Sequence, residues 1–336
     1  MLNYPPFWEQ TQNTNIMEYK LDQFSLIKTV GRGTFGKVCL SLHKPSKTYH
    51  AMKILSLREI IALEQVEHLR SEKRLLGRVS HPLVTSLTWW TRDTHHLYLL
   101  CPYVAGGELF SYLRCYTRFP LDTATFYLAE VTAALSYLHS LDIIYRDLKP
   151  ENILLDREGH IVLTDLGFSK QLSPGLKTWT VCGTAEYMAP ELVLDTGHTA
   201  CVDWWALGVL AHELLTGRPP FTVTQGPGLA GYTAMLLGRL EWPEDMEDMA
   251  RDFIQRLLVR ECHKRLGHGP EGSAKVKDHK LFLALDWDEV ENKRLQPPII
   301  PKVTHAGDTR NFEQVAEPRW DKRDLTEDEI VLFEDF

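Results

Sequence analysis

The chain has 336 residues, of which 37 are lysine or arginine and 45 are aspartate or glutamate, so its formal net charge is −8. This length is enough for two lobes that each bury a core. The acidic balance argues against a general nucleic-acid binder, which normally has a basic surface, and suits an enzyme whose partners are basic.

Targeting signals and disulfide patterns are not apparent in the sequence. No two of the six cysteines form a C-x-x-C pair, so their spacing indicates neither a zinc site nor a disulfide framework and fits a reducing compartment. The start, MLNYPPFWEQ, lacks the basic and apolar regions of a signal peptide. The apolar segment Trp204 to Leu215 is too short to span a bilayer and predicts a buried helix. We therefore expect no membrane span and a cytoplasmic location, with the nucleus as the second choice.

The first hundred residues are predicted to form mostly antiparallel sheet. Residues 1–22 are polar, and only partial order is expected there. Strand-like patterns run from Phe24 to Leu55 around a glycine-rich turn. Apolar residues on one face and charges on the other predict a helix from Arg58 to Gly77. Two further strands are predicted, at 85–90 and 96–104.

The pattern becomes largely helical after Gly106-Gly107. An amphipathic helix is predicted from Asp122 to Leu141, and two short strands are predicted between residues 153 and 164 around a Glu-Gly turn. Helices dominate from Ala200 to about Leu281, and the last fifty residues indicate an extended tail. The sequence thus predicts an α+β protein with a small β-rich lobe and a larger α-rich lobe, joined near residues 103–107.

The stretch GRGTFG contains Gly31, Gly33 and Gly36 in a G-x-G-x-x-G pattern, which alone is a weak signal. A dinucleotide-binding oxidoreductase would need a helix directly after it, whereas strand residues follow here. A simple turn between strands is the other alternative. A hairpin lid whose backbone N–H groups approach the phosphates of a nucleoside triphosphate fits this context better.

Lys53 lies in an apolar strand, AMKIL, and Glu72 lies on the following helix. An edge lysine and a solvated glutamate are the plain alternatives. If the two pair, the lysine becomes a fixed charge for the α- and β-phosphates.

The stretch IIYRDLKPENILL places Asp147, Lys149 and Asn152 between two apolar runs, and Asp165 follows in TDLG. Asp147 is placed to orient a hydroxyl nucleophile or accept its proton, and Lys149 to neutralise a transferring phosphoryl group. The oxygens of Asn152 and Asp165 are suitable ligands for Mg²⁺. This crowding of charge is what phosphoryl transfer needs, because its catalysis is mainly positioning and electrostatic stabilisation.

Together, GRGTFG, AMK, YRDLKPEN, TDLG and MAPE resemble the ordered motifs of eukaryotic protein kinases, from about Phe24 to the C-terminus. TWTVCGT, VDWWALGVL, KRLG, PPIIPK, GDTRNF and FEDF resemble cAMP-dependent protein kinase catalytic subunits and their relative protein kinase X, in the AGC group. The resemblance implies a serine/threonine kinase that uses ATP and Mg²⁺ on basic, arginine-rich substrates. Its alternative is a pseudokinase or scaffold that binds nucleotide with weak or no transfer.

The resemblance also implies a bilobal fold: an N-terminal extension at 1–23, a kinase domain at 24–282 and a tail at 283–336 that wraps the small lobe. The small lobe would span about 24–104 and the large lobe about 105–282. The implied catalytic residues are Asp147 and Lys149, and the implied metal ligands are Asn152 and Asp165. The implied ATP-binding residues are Gly31, Gly33, Gly36, Val38, Lys53, Glu72, Tyr103, Glu108 and Phe312. The implied substrate-binding residues are Glu108, Glu151, Glu213, Val181, Ala185 and Met188.

Thr180 matches the activation-loop phosphosite of these kinases, phosphorylated by an upstream kinase or by the chain itself. Its implied cationic partners are His68, Arg146 and Lys170, and Trp179 matches a contact for a cAMP-binding regulatory subunit. The resemblance also pairs Glu191 with Arg265, and places Thr184 near Asp147 and Lys149.

The chain departs from the family pattern in five places, one of which is the segment 222–235, with GPGLAG, which is looser than in family examples. DLG stands for DFG, Cys101-Pro102 stands at the hinge, Ala185 replaces a proline and Val315 replaces a tail tyrosine. The changes at the hinge, at Ala185 and at Val315 are expected to alter nucleotide or substrate contacts. The leucine of DLG is expected to lose an aromatic contact and loosen the active–inactive switch without removing the metal ligand. The final FEDF predicts a tail that docks Phe333 and Phe336 beside the helix carrying Glu72, with Val331 and Leu332 extending the contact.

Overall fold

A computed structural model describes residues 19–33, 35–173, 175–221, 238, 240–318, 320, 323–334 and 336. Most of the predicted N-terminal extension and all of the segment 222–235 lie outside these residues. Among the helices that are described, none has the length and apolar character needed to cross a membrane.

The small lobe is built on a five-stranded antiparallel sheet. Its strands, in the order β1-β2-β3-β5-β4, are β1 Phe24–Arg32, β2 Gly36–His43, β3 Tyr49–Ser56, β4 Trp89–Arg92 and β5 His96–Pro102. The first three strands and β5 were predicted. The predicted strand at 85–90 was wrong for most of its length, because Thr85 N–H donates to Leu163 in the other lobe (2.9 Å) and Leu87 N–H donates to Leu76 (3.0 Å).

The predicted helix at 58–77 is interrupted. It consists of α1 Leu57–Ala62 and α2 Val66–Arg78. Between them Glu64 has a left-handed φ of 55°, and Gln65 N–H donates to the carbonyl of Ile60 (2.9 Å). This is the bonding of a Schellman C-cap, here with glutamate where glycine is usual, which explains why residue type did not reveal the break.

The large lobe is mainly helical. Among the residues that the structure describes, its helices are α3 Leu109–Tyr116, α4 Leu121–Ser140, α5 Pro190–Val193, α6 Cys201–Thr216, α7 Asp248–Leu257, α8 Gly272–Lys277 and α9 Trp287–Glu291. Its short strands are β6 Ile143–Ile144, β7 Ile153–Leu155, β8 Ile161–Leu163 and β9 Lys170–Gln171, in the antiparallel pairs β6-β9 and β7-β8. The predicted helix at 122–141, the strand pair within 153–164 and the buried helix at 204–215 are confirmed.

The core of the large lobe lies around α4 and α6. Both helices are buried around most of their circumference, and Trp204, Trp205 and Tyr127 are at most 1% exposed. The link between the lobes is fixed to this body, because Gly106 N–H donates to Leu155 and Leu155 N–H donates to Gly107, each at 2.9 Å. The link therefore lies beside β7, the strand that directly follows the stretch from Asp147 to Asn152. The predicted bilobal α+β architecture is confirmed.

The tail crosses from the link to the small lobe. Asn311 donates to the carbonyl of Ala105 (3.0 Å), and Glu317 accepts from Thr29 (2.5 Å) and from Lys37. The final helix, α10 Glu327–Val331, begins with a capping box formed by Thr326. The tail thus wraps the small lobe, as predicted.

The end of the tail docks on α2. Phe333 and Phe336 are 1% and 8% exposed, and Arg70 donates to the carbonyl of Leu332 (2.7 Å). The Phe336 ring also lies 5.6 Å from the Arg70 guanidinium and 5.5 Å from Lys73 Nζ. The expectation that Val331 and Leu332 would join the apolar contact was wrong, because they are 56% and 41% exposed. No residue of helix α10 is buried, so the apolar contact is made by the two phenylalanine rings that follow it.

Candidate active site

The cleft between the lobes contains a buried ion pair. Lys53, on β3, has its Nζ 2.5 Å from Glu72 Oε1, on α2, and 3.5 Å from Asp165 Oδ1. Burial alone would lower the pKa of Lys53, but the carboxylates of Asp165 and Glu72 outweigh it and raise that pKa above its ordinary value. Lys53 is therefore a fixed positive charge, and the alternative of an edge lysine facing solvent is ruled out.

Asp165 follows β8 in a left-handed conformation, with φ of 57°. Aspartate tolerates this region, and here Gly167 N–H donates to its Oδ1 (3.1 Å). The Lys53 ammonium is the main reason that the pKa of Asp165 lies below its ordinary value. Leu166, the apolar residue of DLG, is fully buried and belongs to the core. The change from phenylalanine thus leaves the apolar space filled and the carboxylate presented.

Asp147 is the centre of a second network and is 3% exposed. The amide nitrogen of Asn152 donates to its Oδ2 (2.7 Å), Thr184 donates to its Oδ1 (3.1 Å) and Lys149 Nζ lies 2.9 Å from Oδ2. Lys149 also donates to Thr184 (2.9 Å), which confirms the expected position of that threonine. Because the Asn152 nitrogen is held by Asp147, its carbonyl oxygen is the atom that can bind a cation.

Asp203 on α6 holds the catalytic loop in place, a role that the sequence analysis did not assign. Its carboxylate accepts from the backbone N–H groups of Tyr145 (2.9 Å) and Arg146 (2.8 Å), and it pairs with His139 at 2.7 Å. Arg146 has a left-handed φ of 69°, which a non-glycine residue adopts only when its surroundings impose it. The available signal was a charged residue within the apolar run VDWWALGVL.

The glycine-rich turn joins β1 to β2 over the cleft. A Cβ at Gly36 would lie 2.1 Å from the Ile54 carbonyl oxygen, so glycine is required there, whereas a Cβ at Gly33 would meet nothing within 4 Å. Gly31 pairs with Val38 across the hairpin. Strand β2 follows the turn directly, which excludes the dinucleotide-binding alternative. The open space at Gly33 fits a backbone that approaches phosphate oxygens.

The link between the lobes and the tail form the expected adenine end of the cleft. Tyr103 donates to the carbonyl of Asp308 (2.7 Å), and its ring centroid lies 5.8 Å from that of Phe312. The two predicted nucleotide contacts are therefore neighbours, although one comes from the tail. Cys101-Pro102 closes β5, where the proline leaves one fewer backbone donor for a base.

The three predicted substrate acids share one electrostatic neighbourhood. Burial and then the charges of Glu151 and Glu313 raise the pKa of Glu108. Burial raises the pKa of Glu213, a hydrogen bond from Tyr187 opposes the rise, and Glu151 adds to it. Glu151 thus interacts with both of the other acids. Glu313, in the tail, is a fourth acid that sequence reasoning missed, because only the fold brings the tail here.

The apolar substrate residues have different environments. Val181 is 57% exposed, Ala185 is half-buried, and Met188 is 9% exposed in the wall of a water-sized cavity beside Thr184. Their role as a pocket for the residue after the target stays a prediction.

Thr180 is half-buried, and its side chain makes no hydrogen bond with any residue that the structure describes. Its predicted cationic partners have other contacts: His68 bonds to Gln65, and Lys170 donates to Thr178 (2.9 Å). Arg146 donates through Nε to the carbonyl of Phe168 (2.7 Å), while its Nη1 is buried without a partner. The predicted convergence on Thr180 is thus not formed, and Arg146 Nη1 is left as a donor for an anion.

The predicted bridge between Glu191 and Arg265 is confirmed. The guanidinium binds the carboxylate through two bonds of 2.7 and 2.9 Å, and Arg265 is 2% exposed. Breaking such a buried pair is strongly destabilising, so its role is structural.

The donor set of the cleft matches Mg²⁺ and a nucleoside triphosphate. Asn152 and Asp165 offer oxygen ligands, Lys53 offers a fixed cation, and the glycine turn leaves open space at Gly33 for a phosphate to approach the backbone. The arrangement can position a phosphoryl donor, and Asp147 lies beside it as a base for a hydroxyl.

Comparison with known proteins agrees with this chemistry. Residues 24–282 match the family model described as "Protein kinase domain". The chain is 49% identical over 316 residues to cAMP-dependent protein kinase catalytic subunit 3 of Drosophila melanogaster, covering 92% of this chain and 54% of that protein. It is 46% identical over 319 residues to the human cAMP-dependent protein kinase catalytic subunit PRKX, covering 95% of this chain and 88% of that protein. A Dictyostelium discoideum cAMP-dependent catalytic subunit is 44% identical over 298 residues, with 89% and 45% covered.

Proposed function

The chain belongs to the protein kinase family as a serine/threonine kinase, and we propose that it transfers the γ-phosphate of ATP to serine and threonine hydroxyls in arginine-rich proteins. The proposal rests on one observation above all: the Lys53–Glu72 pair, Asp165 and the Asp147–Asn152–Lys149 network lie in one cleft. Each charge that phosphoryl transfer requires is present and held by a partner.

Asp147 is the proposed catalytic base. Its carboxylate is fixed by Asn152, Thr184 and Lys149, so it can orient the attacking hydroxyl and accept its proton. Lys149 carries a positive charge at the same place, where it would stabilise negative charge on the transferring group. All these donors come from the chain itself, so the nucleophile meets a preorganised site.

The family uses ATP and Mg²⁺, and we propose that Asn152 and Asp165 hold the metal in this chain. Bound Mg²⁺ neutralises phosphate charge. Lys53 would bind the α- and β-phosphates, the turn of Gly31, Gly33 and Gly36 would cover them, and Val38 would contact the base. Tyr103 and Phe312 would complete the adenine end, and Glu108 would be a further nucleotide contact.

The substrate preference is proposed to come from the acidic cluster, defined as Glu108, Glu151 and Glu213. Their mutual interactions place several negative charges together, and guanidinium groups bind carboxylates through paired hydrogen bonds. Arginines two and three residues before the target would reach this cluster. An acidic chain of net charge −8 would also attract basic substrates over longer distances.

Activation is proposed to involve phosphorylation of Thr180, by an upstream kinase or by the chain itself. The buried, unpartnered Nη1 of Arg146 supports this, because a phosphate would give that donor an acceptor. Lys170 and His68 would then exchange their present contacts for the phosphate. Such bonds would order the activation loop.

A cAMP-binding regulatory subunit is a proposed partner, because the relatives named above are cAMP-dependent catalytic subunits. Trp179, 59% exposed on the activation loop, is the candidate contact. The proposed location is the cytoplasm, with the nucleus as the second choice.

The direct test is transfer of labelled phosphate from ATP, with Mg²⁺, to an Arg-Arg-x-Ser peptide. We expect transfer by the full chain and loss of it in Asp147→Asn. Equal labelling of a tyrosine peptide would contradict the specificity, and no labelling by phosphorylated wild type would favour the pseudokinase alternative. At present the paired charges of the cleft give that alternative no support.

A further inference from the structure

Three side chains with metal-binding atoms converge outside the active site. They are Cys201, the first residue of α6, Cys262, in a short 3-10 turn, and His268, in the loop that follows. The two Sγ atoms and His268 Nδ1 all lie within 4.8 Å of one another. Cys262 Sγ and His268 Nδ1 are 3.4 Å apart. Nothing in phosphoryl transfer uses these residues.

The spacing of the three atoms suits a tetrahedral cation. With Zn–S and Zn–N bonds of about 2.3 and 2.0–2.1 Å, ligand atoms in a tetrahedron lie about 3.6–3.8 Å apart. The 3.4 Å between Cys262 Sγ and His268 Nδ1 is close to that spacing, and no two of the three atoms are more than 4.8 Å apart, so shifts of about 1 Å would bring all three into coordination. Two thiolates and an imidazole are a preferred donor set for Zn²⁺.

The surroundings also suit such a site. Arg265 Nη1 lies 3.7 Å from Cys201 Sγ, so it can donate to a bound thiolate, and the same atom donates to the Cys201 carbonyl (2.9 Å). The arginine charge is already neutralised by Glu191, and two thiolates neutralise Zn²⁺, so no net charge is buried. His268 is exposed, which gives the ion an entry path and water a fourth coordination position.

A disulfide between the two cysteines is the competing use of this cluster. Cys201 is only 4% exposed, which limits access for an oxidant, and its thiol donates to the Cys262 carbonyl (3.5 Å). A disulfide would also give no role to His268, the third converging donor. The arrangement of three donors around one point therefore favours a cation.

We propose that Cys201, Cys262 and His268 bind one Zn²⁺ ion, with water in the fourth position. The metal would join the beginning of α6 to the turn that carries Arg265. Since α6 also carries Asp203 and Arg265 holds Glu191, the ion would stabilise the large lobe without touching the cleft. The sequence spacing gave no sign of this site, because Cys201 and Cys262 are 61 residues apart.

The test is a zinc titration of the full chain, purified without a metal-binding tag, reduced and stripped with a chelator. Zn²⁺ is added in competition with a chromophoric indicator, and Co²⁺ is added separately to look for thiolate-to-cobalt charge-transfer absorption. We expect one equivalent bound, a cobalt thiolate band and a higher melting temperature with Zn²⁺. Cys201→Ala, Cys262→Ser and His268→Ala should each lose these responses.

Two matched variants serve as controls. Cys115→Ser removes an exposed cysteine elsewhere, and His263→Ala removes an exposed histidine from the same turn, and both should bind as wild type does. Metal-free melting curves check that each variant is folded. Because there are three independent ligand variants, the test still works if one of them does not fold.

The proposal is overturned if Zn²⁺ binding is not saturable at one equivalent, or if the ligand variants bind as wild type does. It is also overturned if mass spectrometry of unreduced protein finds a Cys201–Cys262 disulfide while the reduced protein binds no Zn²⁺.

Discussion

Lys53 Nζ lies 2.5 Å from Glu72 Oε1, and this bond ties the small-lobe sheet to helix α2. The same helix carries Arg70 and Lys73, which contact the end of the tail. The position of the active-site ion pair and the docking of the tail are therefore properties of one helix. A change in the docking of the tail should therefore alter the active-site ion pair, and a change in the ion pair should alter the docking of the tail.

Removing the docked rings should affect stability and catalysis together. Phe333→Ala with Phe336→Ala deletes two buried side chains, and each such deletion typically costs about 3–5 kcal/mol in a packed core. We expect a lower melting temperature and lower turnover, although neither ring approaches the cleft. Leu332→Ala, at a 41% exposed position of the same tail, is the control and should change little. Unchanged melting and turnover in the double variant would show that tail docking does not position α2.

The acidic cluster should set the preference for arginine. Glu213→Gln is expected to weaken selection two residues before the target, and Glu108→Gln three residues before it, because each loses a charge-assisted bond worth about 1.5–3 kcal/mol. Values of kcat/KM for paired peptides, with arginine or alanine at each position, measure this. Glu271→Gln, an exposed large-lobe acid, should leave both ratios unchanged. Equal rates of wild type on peptides without arginine would reject the acidic-groove interpretation.

The preference for arginine should also depend on pH. Burial and neighbouring carboxylates raise the pKa of Glu108, and burial raises that of Glu213. A raised pKa means that these groups take up protons at higher pH than an ordinary glutamate, and only the charged form attracts arginine. As pH falls, the ratio of kcat/KM between arginine and alanine peptides should therefore decline before the ordinary glutamate range, near about 4.3, is reached. A ratio that stays constant down to that range would contradict this prediction. So would a decline in the ratio that is the same in Glu108→Gln and Glu213→Gln as in wild type.

Phosphorylation of Thr180 should raise activity. Arg146 Nη1 is buried without an acceptor, and a phosphate on Thr180 would supply one. Turnover of homogeneous phosphorylated wild type should exceed that of phosphatase-treated wild type and of Thr180→Ala, which should resemble each other. A Thr180→Ala protein as active as the phosphorylated wild type would refute the proposed ordering of the activation loop.

The parts of the fold that could be predicted were those with a regular local pattern of apolar residues. Alternating apolar residues predicted β1 to β3, and a long amphipathic run predicted α4. The break at Glu64 was missed because its left-handed backbone is imposed by capping bonds and not by a glycine. The strand at 85–90 was misplaced because tertiary bonds from Thr85 and Leu87 replace the sheet ladder.

The active-site residues likewise divide into those that a sequence motif identifies and those that only the fold brings together. Lys53, Asp147 and Asp165 lie in motifs and could be identified from the sequence. The roles of Asp203 and Glu313 could not, since they depend on which distant backbone or charge the fold brings next to them, and the charge within an apolar run at Asp203 does not say what it binds. The same holds for the Cys201–Cys262–His268 cluster.

The most direct test of the kinase mechanism is the turnover of Asp165→Asn on an Arg-Arg-x-Ser peptide with ATP and Mg²⁺. Asparagine tolerates the left-handed backbone, so the variant should fold while losing the charge that is proposed to hold the metal. Asp195→Asn makes the same change at another left-handed, exposed aspartate and should behave as wild type does. We predict a fall in kcat of about a hundredfold or more for Asp165→Asn. Near-normal turnover by that variant would contradict the assignment of this cleft as the site of phosphoryl transfer.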